Sequence, residues 1–300
     1  MRGLQLDRGR TGQTPPLRFN QMYELLDHAD LTAPALIAAF DGWVSAGAAG
    51  TATANHIATE GEVIARFDPD ELFDYRVNRP SLEFIDGIAK EIRWPEVMVR
   101  HSIVEGRDLL ILTGPEPNWK WRAFAAAVAD LAAELGVVQH VSLGGIPWAA
   151  PHTRPTIVVT TSSRPDLLGD DANHPQGVLR VPASIVSAIA DILADREIPT
   201  VGLWARVPHY VGGIYHPAVV TLVERLSRHL GVRIPLGSLV DDATDQRRNL
   251  DEAVEDQDGV ADVVSQLETL YDAQGEVASG EEIGAEIERF LIQAADDDSI

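Results

Sequence analysis

The apolar positions alternate between two periods along most of the chain. ALIAAF (Ala35–Phe40) is a continuous apolar run of strand length, the pattern of a strand buried on both faces. SAGAAGTATANHIAT after it reads as a small-residue helix, and EVIARF (Glu62–Phe67) as a second strand. Residues 68–95 carry Pro69, Pro80 and Pro95 and read as extended and irregular. VMVRHSIVEGRDLLILTG reads as a hairpin, two apolar runs around EGRD with Gly106 available for a positive φ. NWKWRAFAAAVADLAAELG places Phe124, Val128, Leu131 and Leu135 on one helical stripe and stops at Gly136. VVQHVSLGG, TIVVTTSS and TVGLWARV read as strands. VPASIVSAIADILADREI and HPAVVTLVERLSRHLG read as helices, the first with Pro182 near its first turn and the second ending at Gly231. Strands and helices in alternation imply a parallel or mixed sheet with helices on both faces.

Beyond residue 240 the period is helical and the composition changes. Val260, Val263, Val264, Leu267, Leu270 and Tyr271 follow amphipathic spacing, and Ser279 with Glu282 makes a capping-box pattern ahead of Ile283, Ile287, Phe290 and Leu291. Two acidic amphipathic helices are expected, with residues 241–258 as their linker and the last residues frayed. Each apolar stripe must bury against the domain or another subunit. The chain of 300 residues carries 24 Lys+Arg and 46 Asp+Glu, a net charge of −22. Residues 241–300 hold 19 acids and three arginines, a net of −16, which leaves −6 for the first 240. The expected organisation is an arm and lead-in over 1–34, an α/β domain over 35–240 and an acidic helical extension over 241–300.

Composition excludes several classes. With 45% hydrophobic residues the chain has the apolar content to form a core. Cysteine is absent, so disulfides, thiolate metal sites and cysteine nucleophiles are excluded. No apolar run reaches transmembrane length and Met1–Asn20 has no signal-peptide core, so a cytoplasmic protein is expected. The negative balance argues against nucleic acid and anionic membrane as partners. An acidic tail that mimics nucleic acid or recruits basic partners is a weaker alternative to a merely solvated face.

Candidate chemistry sits in loops after strands, where α/β sheets collect ligands. These loops carry Asp41, Gly42 and Trp43; Glu116 and Trp119; Gly144 and Gly145; His152 and Arg154; and His209 and Tyr210. An acid/base site or an anion pocket is one reading of them, with Arg79, Arg154 or His209 holding the anion. The competing reading is structural. Glu116 then fixes a loop or an interface, His209 and Tyr210 pack beside Pro208, and the tryptophans cap the core or anchor a subunit contact. No metal-ligand spacing, GxxxxGK[ST], GxGxxG or GxSxG occurs, so no metal, cofactor or catalytic residue is assigned.

The loop sequences themselves carry a resemblance. FDGWVSAG near residue 40, DYRVNRP (74–80), LTGPEPNWKW (112–121), LGGIPWAAPHTRP (143–155) and GLWARVPHYV (202–211) resemble, in order, those of the PAC2 family of proteasome assembly chaperone 2-like proteins. The resemblance covers about residues 35–240. It implies a three-layer αβα domain, similar to the phosphorylase/hydrolase-like fold of nucleoside phosphorylases, and a homo- or hetero-oligomer. A trimer is the expected number, with no residue pattern behind it. It also implies a non-enzymatic chaperone-like role with proteasome subunits as possible partners; the alternative is a small-molecule or anion-binding enzyme of nucleoside-phosphorylase-like architecture. Ser45 stands where family members often have an acidic residue. Relatives that dock into proteasomes can end in a hydrophobic-Tyr-any sequence, whereas this chain ends Asp298-Ser299-Ile300, so docking by that route is not expected.

Overall fold

Alternate residues of one strand point to opposite faces of a sheet, so a strand that is apolar at every position must be covered twice. In the computed structural model, which describes residues 22–169, 173–255 and 260–273, strand β2 (Ala35–Asp41) meets that condition. Leu36, Ala38 and Phe40 enter one core and Ala35, Ile37 and Ala39 the other. The sheet has eight strands. Besides β2 they are β1 (Tyr23–Leu25), β3 (Glu62–Phe67), β6 (Met98–Val104), β7 (Arg107–Pro115), β8 (Gln139–Trp148), β9 (Val158–Ser162) and β10 (Thr200–Pro208), in the order β1-β3-β6-β7-β2-β8-β10-β9. The central β7, β2, β8 and β10 run parallel, and antiparallel strands flank them on both sides.

Helices cover both faces, which makes a three-layer αβα domain. On one face α3 (Trp121–Glu134) and α4 (Ile185–Asp195) bury Phe124, Val128, Leu131, Ile185, Ile189 and Leu193. On the other, α1 (Ala49–Ile57) and α5 (His216–Leu230) bury Ala54, Ile57, Leu222 and Leu226. A short helix, α2 (Pro69–Leu72), follows β3 with Asp68 as its cap. Within the lead-in, β1 adds an edge strand antiparallel to β3.

Two segments differ from the sequence expectation. Residues 68–95 are not irregular throughout: β4 (Ser81–Ile85) and β5 (Ile88–Arg93) form a separate antiparallel hairpin turned by Asp86 and Gly87, both at positive φ. Residues 241–258 are not a linker, because α6 (Leu239–Glu255) occupies most of them. Leu239, Ala243, Gln246, Leu250 and Val254 form its half-buried stripe. Gln246 takes a polar role there: its carbonyl accepts from the His216 amide at 2.8 Å and its amide donates to Ile214 O at 2.7 Å. Helix α7 (Val260–Ala273) follows with Val264 and Leu267 buried. The helix expected over 279–291 lies outside the described residues. No helix among those described is long and apolar enough to cross a membrane.

Candidate functional site

The parallel strands deliver their C-terminal ends to one side of the sheet. There the chain after β2 turns back at Gly42–Val44 and the N-terminus of α4 approaches it. The two are stitched by Glu116, just beyond β7. Its Oε2 accepts from the Trp43 amide at 3.2 Å and its Oε1 from the Ile185 amide at 2.7 Å. The carboxylate thereby satisfies an otherwise unpartnered N–H at the positive end of α4. It lies so close to Gly42 that a Cβ there would be 2.4 Å from Oε2. Behind this loop, Gly145 pairs with Ser45 across an isolated bridge, and its amide donates to Val44 O at 2.8 Å. A Cβ on Gly145 would stand 2.1 Å from Ala46 O. Glycine is thus required for this close backbone approach.

Beside Glu116 opens a cavity of about 470 Å³. Trp43, Val44, Ile146, Pro147, Val159 and Trp204 line it, and Leu179, Val181 and Pro182 close one wall. Among the described residues its polar lining is Glu116, Thr161, Ser184 and Ser187, with no arginine, lysine or histidine. The sequence reading named Gly42, Trp43 and Glu116 of this lining. It missed Trp204, Thr161 and the wall at 179–182, which carry no chemical motif. Gly144 lies against Trp204 at the floor, and Asp41 stays exposed.

A second group of loop residues faces a different part of the molecule. Tyr210 Oη accepts from the His152 backbone amide at 2.8 Å and shares a 2.7 Å hydrogen bond with its ring Nδ1. His152 Nε2 lies 3.1 Å from Asp251 Oδ1 on α6. The carboxylate can only accept, so Nε2 donates to it. Arg154 makes a two-point contact with Asp272 of α7, at 2.9 and 2.7 Å, and a third bond to Glu268 at 3.1 Å. The Arg154 guanidinium pulls the Asp272 carboxyl below its ordinary range, and Asp272 holds the guanidinium charged in turn. Arg247 donates to Thr153 O at 2.8 Å, and Tyr271 to Pro155 O at 2.9 Å. Loop 151–155 is therefore held by the acidic helices, and Arg154 is committed to carboxylates. Beneath it, buried Arg206 stacks 4.0 Å above the Trp148 ring, and desolvation draws its pKa down to about 10.

The remaining candidates lie outside the cavity. His209 is exposed, its amide donates to Trp148 O at 3.1 Å, and its ring packs edge to face on Tyr210 with centroids 5.5 Å apart. Arg79 and Trp119 are also exposed and line no part of the cavity. Among the described residues no cluster of three or more His, Asp or Glu side chains could hold a metal ion.

Comparison with known proteins agrees with the fold. The sequence model of the PAC2 family matches residues 39–254. A Mycobacterium tuberculosis protein of unknown function is similar at 34% identity and a TM-score of 0.81, over 91% of this chain and 96% of that one. A PAC2 family protein from Streptomyces avermitilis is 36% identical with a TM-score of 0.70, over 77% and 99% of the two chains. A proteasome-assembly chaperone homologue of Mycobacterium tuberculosis is 30% identical with a TM-score of 0.71, again over 77% and 99%. Among curated proteins, none matches this chain.

Proposed function

The chain belongs to the PAC2 family, and we propose that it works as a non-enzymatic, homo-oligomeric, chaperone-like protein whose partners include proteasome subunits. The observation that carries the assembly role is the β4–β5 arm. Every residue of both strands is exposed, and they carry Leu82, Phe84, Ile85, Ile88 and Ile92, with Phe84 at 60% and Ile88 at 61% exposure. Cross-strand pairs Leu82–Ile92 and Ile85–Ile88 place apolar side chains together on the arm. A two-stranded hairpin is marginal on its own in water, and clustered exposed apolar side chains mark interaction surfaces. A second copy of the chain covering the arm accounts for both.

The strand-end loops support the non-enzymatic part. Glu116, the carboxylate best placed for acid/base work, already accepts from two backbone amides. Arg154, a candidate anion holder, is taken by Asp272 and Glu268. His152, 1% exposed in its side chain, is closed off from any substrate.

Native mass spectrometry on the full chain tests the assembly. Oligomers, expected as trimers, should be present at micromolar concentration, and the double variant F84D/I88D should shift them to monomers with unchanged circular dichroism. A wild-type chain that is strictly monomeric would overturn the reading. Pull-down with proteasome α-subunits tests the partner, and enrichment no greater than with an unrelated acidic protein counts against it.

A further inference from the structure

The cavity beside Glu116 is a built site whose walls specify an occupant. It sits at the C-terminal ends of β2, β7 and β8, where the chain departs to either side of β2, the position at which open α/β sheets take ligands. Its volume of about 470 Å³ falls in the range of sites for small organic molecules, about 300–1,000 Å³.

The floor is the indole of Trp204. The ring lies over two glycines: a Cβ on Gly202 would be 2.6 Å from Cζ2, and one on Gly144 would be 2.8 Å from Cε3. Its only polar atom, Nε1, donates to Thr161 Oγ1 at 2.9 Å. Sheet and hydrogen bond thus fix the plane of the ring, and a flat apolar face is presented to the cavity. Trp43, 38% exposed, stands at the opening.

The polar atoms around the cavity already have protein partners. Glu116 holds two amides, Thr161 holds Trp204, and the Ser184 and Ser187 hydroxyls meet at 3.1 Å in the cap of α4. Among the described residues no cation lines the site, while one carboxylate does, and the N-terminus of α4 is already capped by that carboxylate. A phosphate or carboxylate ligand would be desolvated there without a counter-charge. A neutral ring would instead exchange water for aromatic and branched apolar surface.

We propose that this cavity binds a neutral, predominantly apolar small molecule whose ring stacks on Trp204. The test uses the full-length protein and N-phenyl-1-naphthylamine, a neutral aromatic probe that fluoresces when removed from water. Saturable one-to-one binding is expected, displaced by indole and not by inorganic phosphate. Leu179→Trp and Val181→Trp fill the cavity from a wall segment outside the two main cores, and each should weaken the probe by about tenfold or more. Should one variant fail to fold, the other and the indole displacement decide. Absence of saturable binding, equal affinity in both folded variants, or displacement by phosphate overturns the proposal. So does binding that arises only in the monomeric F84D/I88D chain, because the wild-type cavity would then be filled by a neighbouring copy.

Discussion

Replacing Glu116 by alanine removes the tether between the loop after β2 and the start of α4. Two hydrogen bonds to a carboxylate are lost, at 2.7 Å to the Ile185 amide and 3.2 Å to the Trp43 amide. Ile185 is fully buried, so its amide has no ready replacement from water, and a bond of this kind contributes about 1.5–3 kcal/mol. The Trp43 amide lies at an exposed residue and is longer, so water recovers most of its loss, leaving about 0.5 kcal/mol. The favourable placement of a negative charge at the helix N-terminus adds about 0.3–1 kcal/mol. The sum is about 2–4.5 kcal/mol for Glu116→Ala. Glu116→Gln keeps one acceptor but turns an NH₂ toward the second amide, and should lose about half as much. Urea unfolding followed by circular dichroism, on the full chain at neutral pH, measures both. A loss under about 0.5 kcal/mol for the alanine variant, the scatter of ordinary surface substitutions, would refute the tether.

Three further outcomes follow from the same geometry. Gly145→Ala drives a Cβ to 2.1 Å from the Ala46 backbone carbonyl oxygen, which cannot rotate away, and should cost about 1–3 kcal/mol or more; an unchanged melting temperature contradicts it. His140 is fully buried in β8, and desolvation lowers its pKa to about 4, below the value of about 6.5 in an unfolded chain. As pH falls from about 6.5 toward 4, the unfolded chain takes up the proton first and stability is lost, by about 2 kcal/mol at pH ~5. An NMR titration should find the His140 ring neutral at that pH, and a midpoint near 6.5 refutes the assignment. Arg154→Ala removes the bidentate contact to Asp272, and α7 should exchange its amide hydrogens faster, with a smaller response to salt than in the wild type. Because the Asp272 carboxyl is lowered, its contribution is complete above the ordinary carboxylate range and disappears as pH falls through the depressed value. Unchanged exchange in α7 would show that apolar packing alone holds it.

The parts of the fold readable in the sequence are those whose physics is local. β2 is apolar at every position because both of its faces are covered, and α5 shows its stripe and its Gly231 cap directly. The β4–β5 arm also had a local signal, Asp86-Gly87 between apolar runs, overshadowed by the surrounding prolines. Helix α6 had a weaker one. Its half-buried stripe includes Gln246, whose reason for being there is the start of α5, some thirty residues earlier. The strand-end loops could be recognised from their glycines and prolines, but not sorted. Gly42, Trp43 and Glu116 face a cavity, whereas His152 and Arg154 face carboxylates separated from them by 99 and 118 residues. In an acidic extension nothing local distinguishes Asp251 or Asp272 from its many neighbours. Trp204 was visible only as an aromatic residue in a strand; the glycines that flatten it against the sheet lie on two different strands.

The Asp251–His152–Tyr210 chain has the order of an acid, a base and a hydroxyl, and could be mistaken for catalytic machinery. Its exposure argues against this, since the His152 side chain is 1% accessible. Its hydrogen bonding argues against it as well. Tyr210 Oη accepts from the His152 backbone amide while engaging the ring of the same residue, so the hydroxyl is consumed by the loop that carries the base. Burial raises the Tyr210 pKa, which keeps that hydroxyl protonated as a donor and works against its use as a nucleophile. What the three residues join are β10, loop 151–155 and α6. The same loop is bound again by Arg154 to α7 and by Arg247 from α6. Part of the charge that sets the extension apart is therefore spent inside the molecule, holding two acidic helices to a loop of the α/β domain. The opposite end of that loop runs into Trp148 and Pro147, and Pro147 is a wall of the apolar cavity. The extension and the cavity thus meet one stretch of chain at the end of β8, from Pro147 to Pro155.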